Sequence, residues 1–499
     1  MAGSTVRSLM KTSTTTTLAR VAKLITEARS CSQQRTWENR RSSPLLLPAR
    51  EFSCGSALWN ASGRSSSLES EELLKKNLSK VLSPTTRQLS GEPEKAFTDD
   101  ENLEVLDYPG AKTSFTHELK FIPESAAEPV PCYRLVNDFG QPLPWAHLPE
   151  MDVKLAREIY SHMVTLQTMD VIFYEAQRQG RFSFYMTTNG EEAINIATAA
   201  ALSPQDVVFT QYREPGILMW RGFSLESFAN QCFGNGDDLG KGRQMPVHYG
   251  SHEHKYFTIS SPIATQLPQA VGAAYGLKMG NEDACAVAYF GDGASSEGDF
   301  HAAMNFASIL ETPILFICRN NGWAISTPTN DQFRSDGIVV KGRGYGIRSI
   351  RVDGMDTLAL FSAVKEARKM AIEESRPVVI EALTYRVGHH STSDDSSKYR
   401  NKVEIDHWKL VRDPVLRFKR WIEAQGWWDI DSEKKIRTEA RAAVIAAMNK
   451  AGRKEKPHIS VLFEDVYDSL PSHLKEQQAQ LREVIARHPR DYPADVPTL

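Results

Sequence analysis

The chain lacks the cysteine pairs, the long apolar runs and the strong net charge that mark several common classes of protein. It has six cysteines, and no two of them show the Cys-x-x-Cys spacing of a zinc or redox site. No apolar run approaches the roughly 18 residues of a membrane-spanning helix, and a formal net charge of −3 gives no overall attraction to nucleic acid. We therefore expect a globular intracellular protein with reduced thiols, no membrane span and no nucleic-acid partner.

Acidic residues are scarce at the N-terminus. Residues 1–50 contain nine Arg or Lys and fifteen Ser or Thr, but only two acidic residues, Glu27 and Glu38. An Arg- and Ser-rich, acid-poor composition is typical of an organelle transit peptide. We predict a transit peptide over residues 1–55 and a location in the mitochondrial matrix; the alternative is a disordered tail with no targeting role. Residues 56–105 remain rich in Ser and charge, and we interpret them as a linker or flexible arm.

Short β-branched runs alternate with Ala-rich helical stretches from about residue 106 onward. The predicted strands are Asp206–Gln211, Cys285–Phe290, Pro313–Arg319, Ile347–Val352 and Val378–Thr384. The predicted helices are residues 149–178, Gly190–Leu202, Ala264–Met279, Phe300–Leu310, Met355–Ser375 and Ser432–Ala451. This alternation predicts an α/β domain over residues 106–403, with a parallel sheet covered by helices on both faces. Residues 404–499 are predicted to be a helical C-terminal region that ends in a proline-containing tail.

One segment joins two predicted strands through one predicted helix and carries most of the chemistry. The strand Cys285–Phe290 runs directly into a Gly-Asp-Gly turn at residues 291–293, and the next strand ends at the pair Asn320-Asn321. We expect the glycines to allow a sharp turn and the close approach of a ligand. Because Asn321 follows Asp292 by 29 residues, one strand–helix–strand unit brings both side chains to the same edge of the sheet.

The chemistry of these side chains favours a metal and a diphosphate. Asp292 and Asn321 offer hard oxygen ligands, which magnesium prefers, and the helix that begins after Ser296 exposes N–H groups that favour an anion. The alternative is an ordinary strand–helix–strand unit without a metal. A Rossmann dinucleotide site is disfavoured, because Ser296 stands where the third glycine of G-x-G-x-x-G belongs.

The Gly-Asp-Gly turn followed by the Asn pair resembles the thiamine diphosphate motif. Further segments extend the resemblance over about residues 105–490 to one family, the alpha subunits of the decarboxylating component of 2-oxo acid dehydrogenase complexes. Within that family the chain is most similar to members that act on branched-chain 2-oxo acids. The further segments are FYEAQRQGRFSFYMTTNGEEA (Phe173–Ala193), QYREPG (Gln211–Gly216), SSPIATQLPQAVGAAYG (Ser260–Gly276) and VGHHSTSDDSSKYR (Val387–Arg400). The resemblance implies the thiamine diphosphate-binding fold.

The resemblance also implies a set of cofactor and magnesium residues. Asp292, Asn321 and the carbonyl of Trp323 match the magnesium ligands. Arg213 and Arg319 match the residues that hold the diphosphate, as suits the forked guanidinium group; each arginine alone is equally consistent with a surface or salt-bridge role. The other cofactor-facing positions are Gln211, Tyr212, Ser261, Ile263, Gly291, Gly293, Ala294, Glu297 and His390.

A cluster of Ser, Thr and Gln side chains resembles a potassium site that steadies the cofactor loop. Its members are Ser260, Pro262, Thr265 and Gln266. Hydroxyl, amide and main-chain oxygens suit a hard monovalent cation. A cluster of this kind at the start of a helix is also typical of an N-cap, which is the alternative interpretation.

Two adjacent histidines precede a Ser- and Asp-rich stretch in residues 389–397. On an extended chain they point to opposite sides. By the resemblance His390 is the catalytic position, and we expect its imidazole to titrate near neutrality and to hold or donate a proton; we expect His389 to be structural. Ser391 matches a position that a dedicated kinase phosphorylates in the family, and an unmodified polar loop is the alternative. A second such position is Asn401, which has no hydroxyl group.

The implied reaction is the oxidative decarboxylation of a branched-chain 2-oxo acid, with transfer of the acyl group to a lipoyl-bearing transacylase. We expect Ile263 and the ring of Tyr212 to face the aliphatic substrate, although such a pocket separates substrates by only about 1–3 kcal/mol per methylene. Enzymes of this kind need a glutamate beside the cofactor, and by the resemblance a beta subunit supplies it in an α2β2 heterotetramer. A dedicated kinase and phosphatase are the remaining implied partners.

Other functions remain open from the sequence. The same site suits pyruvate or acetoin as substrate, and a non-catalytic paralogue would assemble with a beta subunit without doing chemistry. A magnesium–nucleotide binding module is more distant and predicts ATP binding without a partner chain. The intact set Asp292, Asn321, Arg213, Arg319 and His390 argues against the non-catalytic paralogue.

Overall fold

The computed structural model describes residues 105–108, 111–114, 117–121 and 128–498. The predicted transit peptide, residues 1–55, and nearly all of the predicted arm, residues 56–105, lie outside the described residues. Strands β1 (Val105–Tyr108) and β2 (Ala111–Ser114) pair as an antiparallel hairpin within a unit of their own. The predicted boundary between residues 105 and 106 therefore falls inside a strand.

A six-stranded parallel sheet organises the larger unit. The remaining strands are β3 (Cys132–Tyr133), β4 (Val207–Phe209), β5 (Ala286–Gly291), β6 (Ile314–Asn320), β7 (Trp323–Ala324), β8 (Thr327–Pro328), β9 (Arg348–Asp353) and β10 (Val378–Leu383). The order across the sheet is β3-β9-β10-β6-β5-β4, while β7 and β8 form a separate antiparallel hairpin. The prediction of a parallel sheet is confirmed, and all five predicted strands are present. The largely apolar runs of β4, β5, β6 and β10 suit strands that are buried on both faces, whereas β9 carries Arg348, Ser349 and Arg351.

The helices also follow the predicted alternation. They are α1 (Val153–Arg178), α2 (Glu192–Ala200), α3 (Pro215–Trp220), α4 (Leu225–Phe233), α5 (Gln266–Met279), α6 (Gly298–Leu310), α7 (Thr329–Gln332), α8 (Val339–Gly344), α9 (Thr357–Glu373), α10 (Lys402–Val411), α11 (Pro414–Ala424), α12 (Ile430–Ala451) and α13 (Ser472–Arg487). All six predicted helices are among them. Within the part of the chain that the structure describes, none combines the length and apolarity needed to cross a membrane.

The two faces of the sheet carry two separate apolar cores. Along β5, Val287 and Tyr289 pack in the larger core with residues of α1, α2 and α9. Their neighbours Ala288 and Phe290 point the other way and pack in a second core with residues of α5 and α6. This alternation follows from the two-residue period of a strand, and it confirms that helices cover both faces of the sheet.

Helix α1 forms where the apolar spacing predicted it. Asp152 caps its N-terminus, since the carboxylate accepts a hydrogen bond from the N–H of Leu155 at 2.7 Å. Ile159 and Met163 are fully buried along one face. Val153 is 39% exposed, because it lies in the first turn before the helix meets the core.

Two of the C-terminal helices, α11 and α12, are part of the larger core. Val415, Trp421 and Met448 of α11 and α12 are buried in the same core as α1. The predicted boundary between residues 403 and 404 falls inside α10. Here Trp408 stacks on Tyr385, with 5.0 Å between the ring centroids, which ties α10 to the segment that follows β10.

Gly190 and Gly180 both have positive φ, but only Gly190 lies against the chain that follows β10, so substitutions at the two positions test this close approach. Gly190 has φ +93°, and a Cβ atom there would lie 2.2 Å from the carbonyl oxygen of Tyr385, whereas a Cβ at Gly180, with φ +76°, would meet nothing within 4 Å. Gly180→Ala should therefore cost only the backbone strain of about 1–2 kcal/mol. Gly190→Ala should cost at least about 2 kcal/mol more, through overpacking against a backbone atom. Denaturant unfolding of both variants measures the difference, and equal losses would contradict the close approach.

Candidate active site

A cavity of about 290 Å³ lies at the carboxyl ends of β5 and β6. Its lining includes most of the residues that the sequence pointed to, namely Gln211, Tyr212, Arg213, Ile263, Gly291, Asp292, Gly293, Ala294, Arg319, Asn321, Trp323 and His390. Segments far apart in the sequence thereby meet at one edge of the sheet, as expected for an open parallel sheet. Ser296, Ala324, Ile325, Thr327, Gln332 and Arg386 complete the lining.

Two of the predicted cofactor positions are not part of this lining. Glu297 is exposed at the N-terminal end of α6, and Ser296 lines the cavity in its place. The hydroxyl of Ser261 is exposed to solvent on one side and makes a 2.8 Å hydrogen bond with Nε2 of His248. Their expected contact with a cofactor remains a prediction.

The Gly-Asp-Gly turn works differently from our expectation. Strand β5 ends at Gly291, whose φ of −88° is open to any residue, and residues Asp292–Ser296 form a 3-10 helix before α6 begins at Gly298. The prediction of a helix after Ser296 is confirmed, since Glu297 is the N-cap of α6, but the turn itself requires no positive φ at Gly291 or Gly293. Gly293 is needed for space instead, because a Cβ there would lie 2.7 Å from Cβ of Ala324. The loop that contains β7 and β8 can approach only a glycine at this position.

Asp292 and Asn321, the two predicted side-chain ligands of magnesium, are both buried in the cavity wall. Gln332 donates a hydrogen bond to Oδ2 of Asp292 at 2.7 Å, and burial raises the pKa of this carboxyl group above its usual value. Asn321 directs its amide nitrogen to Glu191 at 2.8 Å, which leaves its oxygen on the other side, 3.2 Å from the N–H of Trp323. An anionic and an amide oxygen therefore face the same space.

These donors fit a hard divalent cation that also takes oxygens from its ligand. The described residues contain no group of three or more His, Cys, Asp or Glu side chains able to hold a metal, so a cation here would need amide, carbonyl and phosphate oxygens. The carbonyl of Trp323, the third predicted ligand, accepts a hydrogen bond from Nη1 of Arg386 at 3.2 Å. One lone pair of that oxygen remains for a metal.

Arg319 is anchored by two buried carboxylates. Its Nη1 atom donates to Glu191 at 2.7 Å, its Nε atom contacts Glu214, and its Nη2 atom donates to Oε1 of Gln211 at 3.2 Å. The side chain is 2% exposed and both glutamates are fully buried. The same Gln211 oxygen accepts the N–H of Gly291 at 2.7 Å. The end of β5 is thus connected to the guanidinium group through Gln211.

Arg213 and Arg386 enclose the imidazole of His390. Nη2 of Arg213 donates to the His390 carbonyl at 3.0 Å, and Nδ1 of the ring lies 3.3 Å from Arg213 and 3.4 Å from Arg386. Because only donors surround Nδ1, we assign this atom as the acceptor and place the ring proton on Nε2. The ring of Tyr212 packs edge-on against the imidazole, with 5.8 Å between centroids.

The charges around His390 change its expected titration. Burial, followed by the positive charges of Arg213 and Arg386, lowers the pKa of His390 to about 3, against a smaller opposite effect of Asp394. The expectation that this imidazole titrates near neutrality is therefore wrong for the described chain. At neutral pH the ring is uncharged and offers one N–H donor at Nε2.

His389 has separate surroundings, as the extended chain led us to expect. Its Nδ1 atom accepts the N–H of Ser396 at 3.0 Å and lies 2.9 Å from the hydroxyl of the same residue. Ser391 is 7% exposed, and its hydroxyl accepts the N–H of Ser393 at 3.2 Å. Asn401 caps α10 by accepting the N–H of Val403 at 2.9 Å. The loop is folded on itself by these local bonds.

Three of the four predicted potassium residues converge. The hydroxyls of Ser260 and Thr265 lie 2.6 Å apart, and Thr265 donates to the carbonyl of Pro262 at 3.2 Å. Thr265 stands at the N-cap of α5 without capping it through its side chain, which disfavours the N-cap interpretation. Gln266 instead donates to the carbonyl of Tyr289 at 2.8 Å. Ala264, which precedes Thr265, has φ +68°, an uncommon value for a residue with a side chain.

Sequence reasoning missed four polar residues of this site. Glu191, Glu214, Gln332 and Arg386 hold Asn321, Arg319, Asp292 and the Trp323 carbonyl, respectively. Glu191 and Glu214 do lie inside segments that carried the family resemblance. Nothing in their spacing marks them as partners of residues more than a hundred positions later, apart from the rule that a buried charge needs an opposite one.

A further buried carboxylate, that of Asp170, holds the chain segment whose carbonyl contacts Arg213. Oδ2 of Asp170 accepts both the N–H and the hydroxyl of Thr188, at 2.5 and 2.6 Å, and Oδ1 accepts the hydroxyl of Tyr185 at 2.9 Å. The adjacent carbonyl of Thr187 accepts Nη1 of Arg213 at 2.6 Å. Burial outweighs these hydrogen bonds and raises the pKa of Asp170 to about 6.

Comparison with known proteins places this geometry in context. The family described as dehydrogenase E1 component matches residues 160–460. The chain is 63% identical over 396 residues to the protein named 2-oxoisovalerate dehydrogenase subunit alpha 2, mitochondrial, of Arabidopsis thaliana, which covers 79% of this chain and 84% of that protein. It is 50% identical over 388 residues to the human protein named 2-oxoisovalerate dehydrogenase subunit alpha, mitochondrial, a match that covers 78% of this chain and 87% of the human protein. The Caenorhabditis elegans alpha subunit of the same name is 49% identical over 383 residues, a match that covers 77% of this chain and 89% of that protein.

The raised pKa of Asp170 predicts a pH-dependent difference in stability. The folded protein holds this proton more tightly than the unfolded chain, so the stability that protonation contributes is complete below about pH 4 and is lost as the pH rises through about 6. Asp170→Asn has no such loss. Its free energy of unfolding, relative to the unchanged protein, should rise by up to about 3 kcal/mol between pH 4 and pH 7. Denaturant titrations at both pH values measure this, with the exposed Asp468→Asn as control; a difference that does not vary with pH would contradict it.

Proposed function

The chain belongs to the dehydrogenase E1 component family, and we propose that it is the alpha subunit of a mitochondrial enzyme that oxidatively decarboxylates branched-chain 2-oxo acids. The acyl group passes to a lipoyl-bearing transacylase. The observation that carries the proposal is the convergence of Asp292, Asn321, Arg213, Arg319 and His390 on one cavity. Relatives named as 2-oxoisovalerate dehydrogenase alpha subunits, 49–63% identical over most of the chain, support the substrate class.

Thiamine diphosphate, when bound, supplies the electron sink for the loss of carbon dioxide. Asp292, Asn321 and the Trp323 carbonyl would hold the magnesium ion that accompanies the diphosphate. Around the cavity floor the charges of Arg213 and Arg319 are offset by those of Glu191 and Glu214. The attraction for a diphosphate therefore depends on the metal and on Arg386, the remaining cation of the described lining. Ser260, Pro262 and Thr265 would hold a potassium ion beside the loop, with Gln266 in support.

His390 acts as a neutral group that holds a proton at Nε2. Arg213 and Arg386 fix Nδ1 as an acceptor, so Nε2 is the atom that donates toward the reacting acid. The edge-on ring of Tyr212 limits rotation of the imidazole. Ile263 and Tyr212 give the cavity an apolar wall that suits an aliphatic side chain and excludes water from it.

A beta subunit completes the site. The described lining of the cavity contains no glutamate, and the two glutamates beneath it, Glu191 and Glu214, are bound to Arg319. The carboxylate that must act on the aminopyrimidine ring therefore comes from another chain, in an α2β2 heterotetramer. A location in the mitochondrial matrix fits the composition of residues 1–50 and the mitochondrial names of the relatives.

Ser391 is the site of regulation by a dedicated kinase and phosphatase. It directly follows His390, and its hydroxyl is buried against the N–H of Ser393. A phosphate adds roughly two negative charges. It displaces the loop from its folded position and repels the diphosphate, so the modified subunit binds cofactor more weakly. Asn401 caps a helix and takes no phosphate.

The metal ligands predict a specific effect on cofactor binding. Asp292→Asn removes the anionic ligand but keeps the side-chain volume, so thiamine diphosphate should bind at least about tenfold more weakly in the presence of magnesium, or about 1.4 kcal/mol. Titration calorimetry of the assembled heterotetramer measures the affinity. Asp299→Asn, at an exposed position on α6, is the matched control and should bind as the unchanged protein does. Unchanged affinity of Asp292→Asn would remove this carboxylate from the metal site.

Co-expression with a candidate beta subunit tests the proposed reaction. With thiamine diphosphate and magnesium, the pair should decarboxylate branched-chain 2-oxo acids in preference to pyruvate, and neither chain should be active alone. Carbon dioxide release with each acid is the measurement. Preference for pyruvate or acetoin would keep the site and overturn the substrate class. Cofactor binding without turnover in any pairing would favour a non-catalytic paralogue, and stabilisation by ATP instead of thiamine diphosphate would favour a nucleotide-binding module.

A further inference from the structure

Asn320, the last residue of β6, and Asn321, which follows it, send their amide side chains to two different buried glutamates. Nδ2 of Asn320 donates to Oε1 of Glu381 at 2.8 Å, and Nδ2 of Asn321 donates to Oε1 of Glu191 at 2.8 Å. Both glutamates are fully buried, and each also binds an arginine. Only the Asn321 side chain lines the candidate active site. The chain therefore contains two nearly equivalent arrangements, one at the cavity and one away from it.

Glu191 determines which end of the Asn321 amide faces the cavity. A carboxylate only accepts hydrogen bonds, so it selects the amide nitrogen and excludes the oxygen from its side. The oxygen of Asn321 is thereby turned away, toward the cavity and the N–H of Trp323. Without this acceptor only the 3.2 Å hydrogen bond from the N–H of Trp323 favours this orientation, and the reversed amide, which presents N–H to a cation, offers it no ligand.

Glu191 is itself held in place from several sides. Its N–H donates to the carbonyl of Thr188 at 2.8 Å, and its carbonyl accepts the side chain of Asn195 at 3.1 Å. Its second carboxylate oxygen accepts Nη1 of Arg319 at 2.7 Å. The preceding Gly190 permits the close approach to Tyr385. A rigid carboxylate in this position can impose an orientation on its partner.

We propose that Glu191 is a positioning residue for the metal site: it fixes the Asn321 amide with the oxygen toward the cation and couples that amide to Arg319. The inference rests on the proposed function, since it concerns the magnesium that accompanies thiamine diphosphate. Groups that orient a metal ligand in this way typically change metal affinity by about 10–100-fold when they are replaced. The binding defect is therefore a defect of metal affinity, and excess metal compensates for it.

If Glu191 acted only through its negative charge, the opposite effect on cofactor binding would be expected. Removing a negative charge beside Arg213 and Arg319 leaves the cavity more positive, which favours an anionic diphosphate. A purely electrostatic role therefore predicts tighter cofactor binding when the carboxylate is neutralised. A positioning role predicts weaker binding that depends on the metal. The two roles are separable in one titration.

The experiment uses the assembled heterotetramer and three variants of the alpha subunit. Thiamine diphosphate is titrated by calorimetry at a series of magnesium concentrations, and electron paramagnetic resonance of added manganese counts the bound metal. Glu191→Gln neutralises the carboxylate. Glu191→Asp keeps the charge but shortens the side chain, so it tests position if the glutamine variant fails to fold. Glu381→Gln is the matched control on the other buried glutamate.

We expect Glu191→Gln and Glu191→Asp to require about tenfold or more magnesium for half-maximal cofactor binding, and to approach the unchanged protein at saturating metal. Glu381→Gln should lower thermal stability without changing the metal requirement. The proposal is overturned if Glu191→Gln binds cofactor as tightly as the unchanged protein or more tightly. It is also overturned if Glu191→Asp behaves as the unchanged protein, or if Glu381→Gln shifts the metal requirement equally. Failure of the unchanged heterotetramer to bind thiamine diphosphate with magnesium would instead reject the proposed function, and this inference with it.

Discussion

The buried ion pairs of Arg319 determine how the polar groups of the cavity are arranged. A charge in the interior is costly unless opposite charges and hydrogen bonds surround it, and removing one partner of such a pair typically costs about 3–5 kcal/mol. Here Glu191 and Glu214 both bind the guanidinium group. Glu191 then extends the connection to Asn321, and Glu214 extends it to the N–H of Gln211 at 2.8 Å. The ends of β5 and β6 are thus joined by one continuous polar network beneath the cavity.

The fold was predictable to the extent that burial leaves a periodic pattern. Four of the five predicted core strands are largely apolar runs, while β9 (RSIRVD) alternates polar and apolar residues, and the six predicted helices repeat their apolar residues with helical spacing, so both kinds of element were found near their true positions. The short hairpin of β7 and β8 has no such pattern and was missed. The role of Gly293 was also beyond reach, because the atom that excludes a side chain belongs to Ala324, in a loop that arrives after the next strand.

The candidate site was predictable as a set of residues but not as a set of interactions. Family resemblance identified Arg319 and Asn321, whereas their partner Glu191 lies 128 and 130 positions away and shows no local signal. The prediction that His390 titrates near neutrality was wrong for a related reason. Arg386 lies only four residues before His390, but Arg213 lies 177 positions away, and only the folded chain places both positive charges beside Nδ1.

This grouping of two cations and an uncharged imidazole has a thermodynamic consequence. An anion that enters the cavity partly offsets the charges of Arg213 and Arg386, so the affinity of His390 for a proton rises with occupancy. By linkage, an anion in the cavity and a proton on His390 favour each other, so protonation of the ring costs less in the occupied cavity than in the empty one.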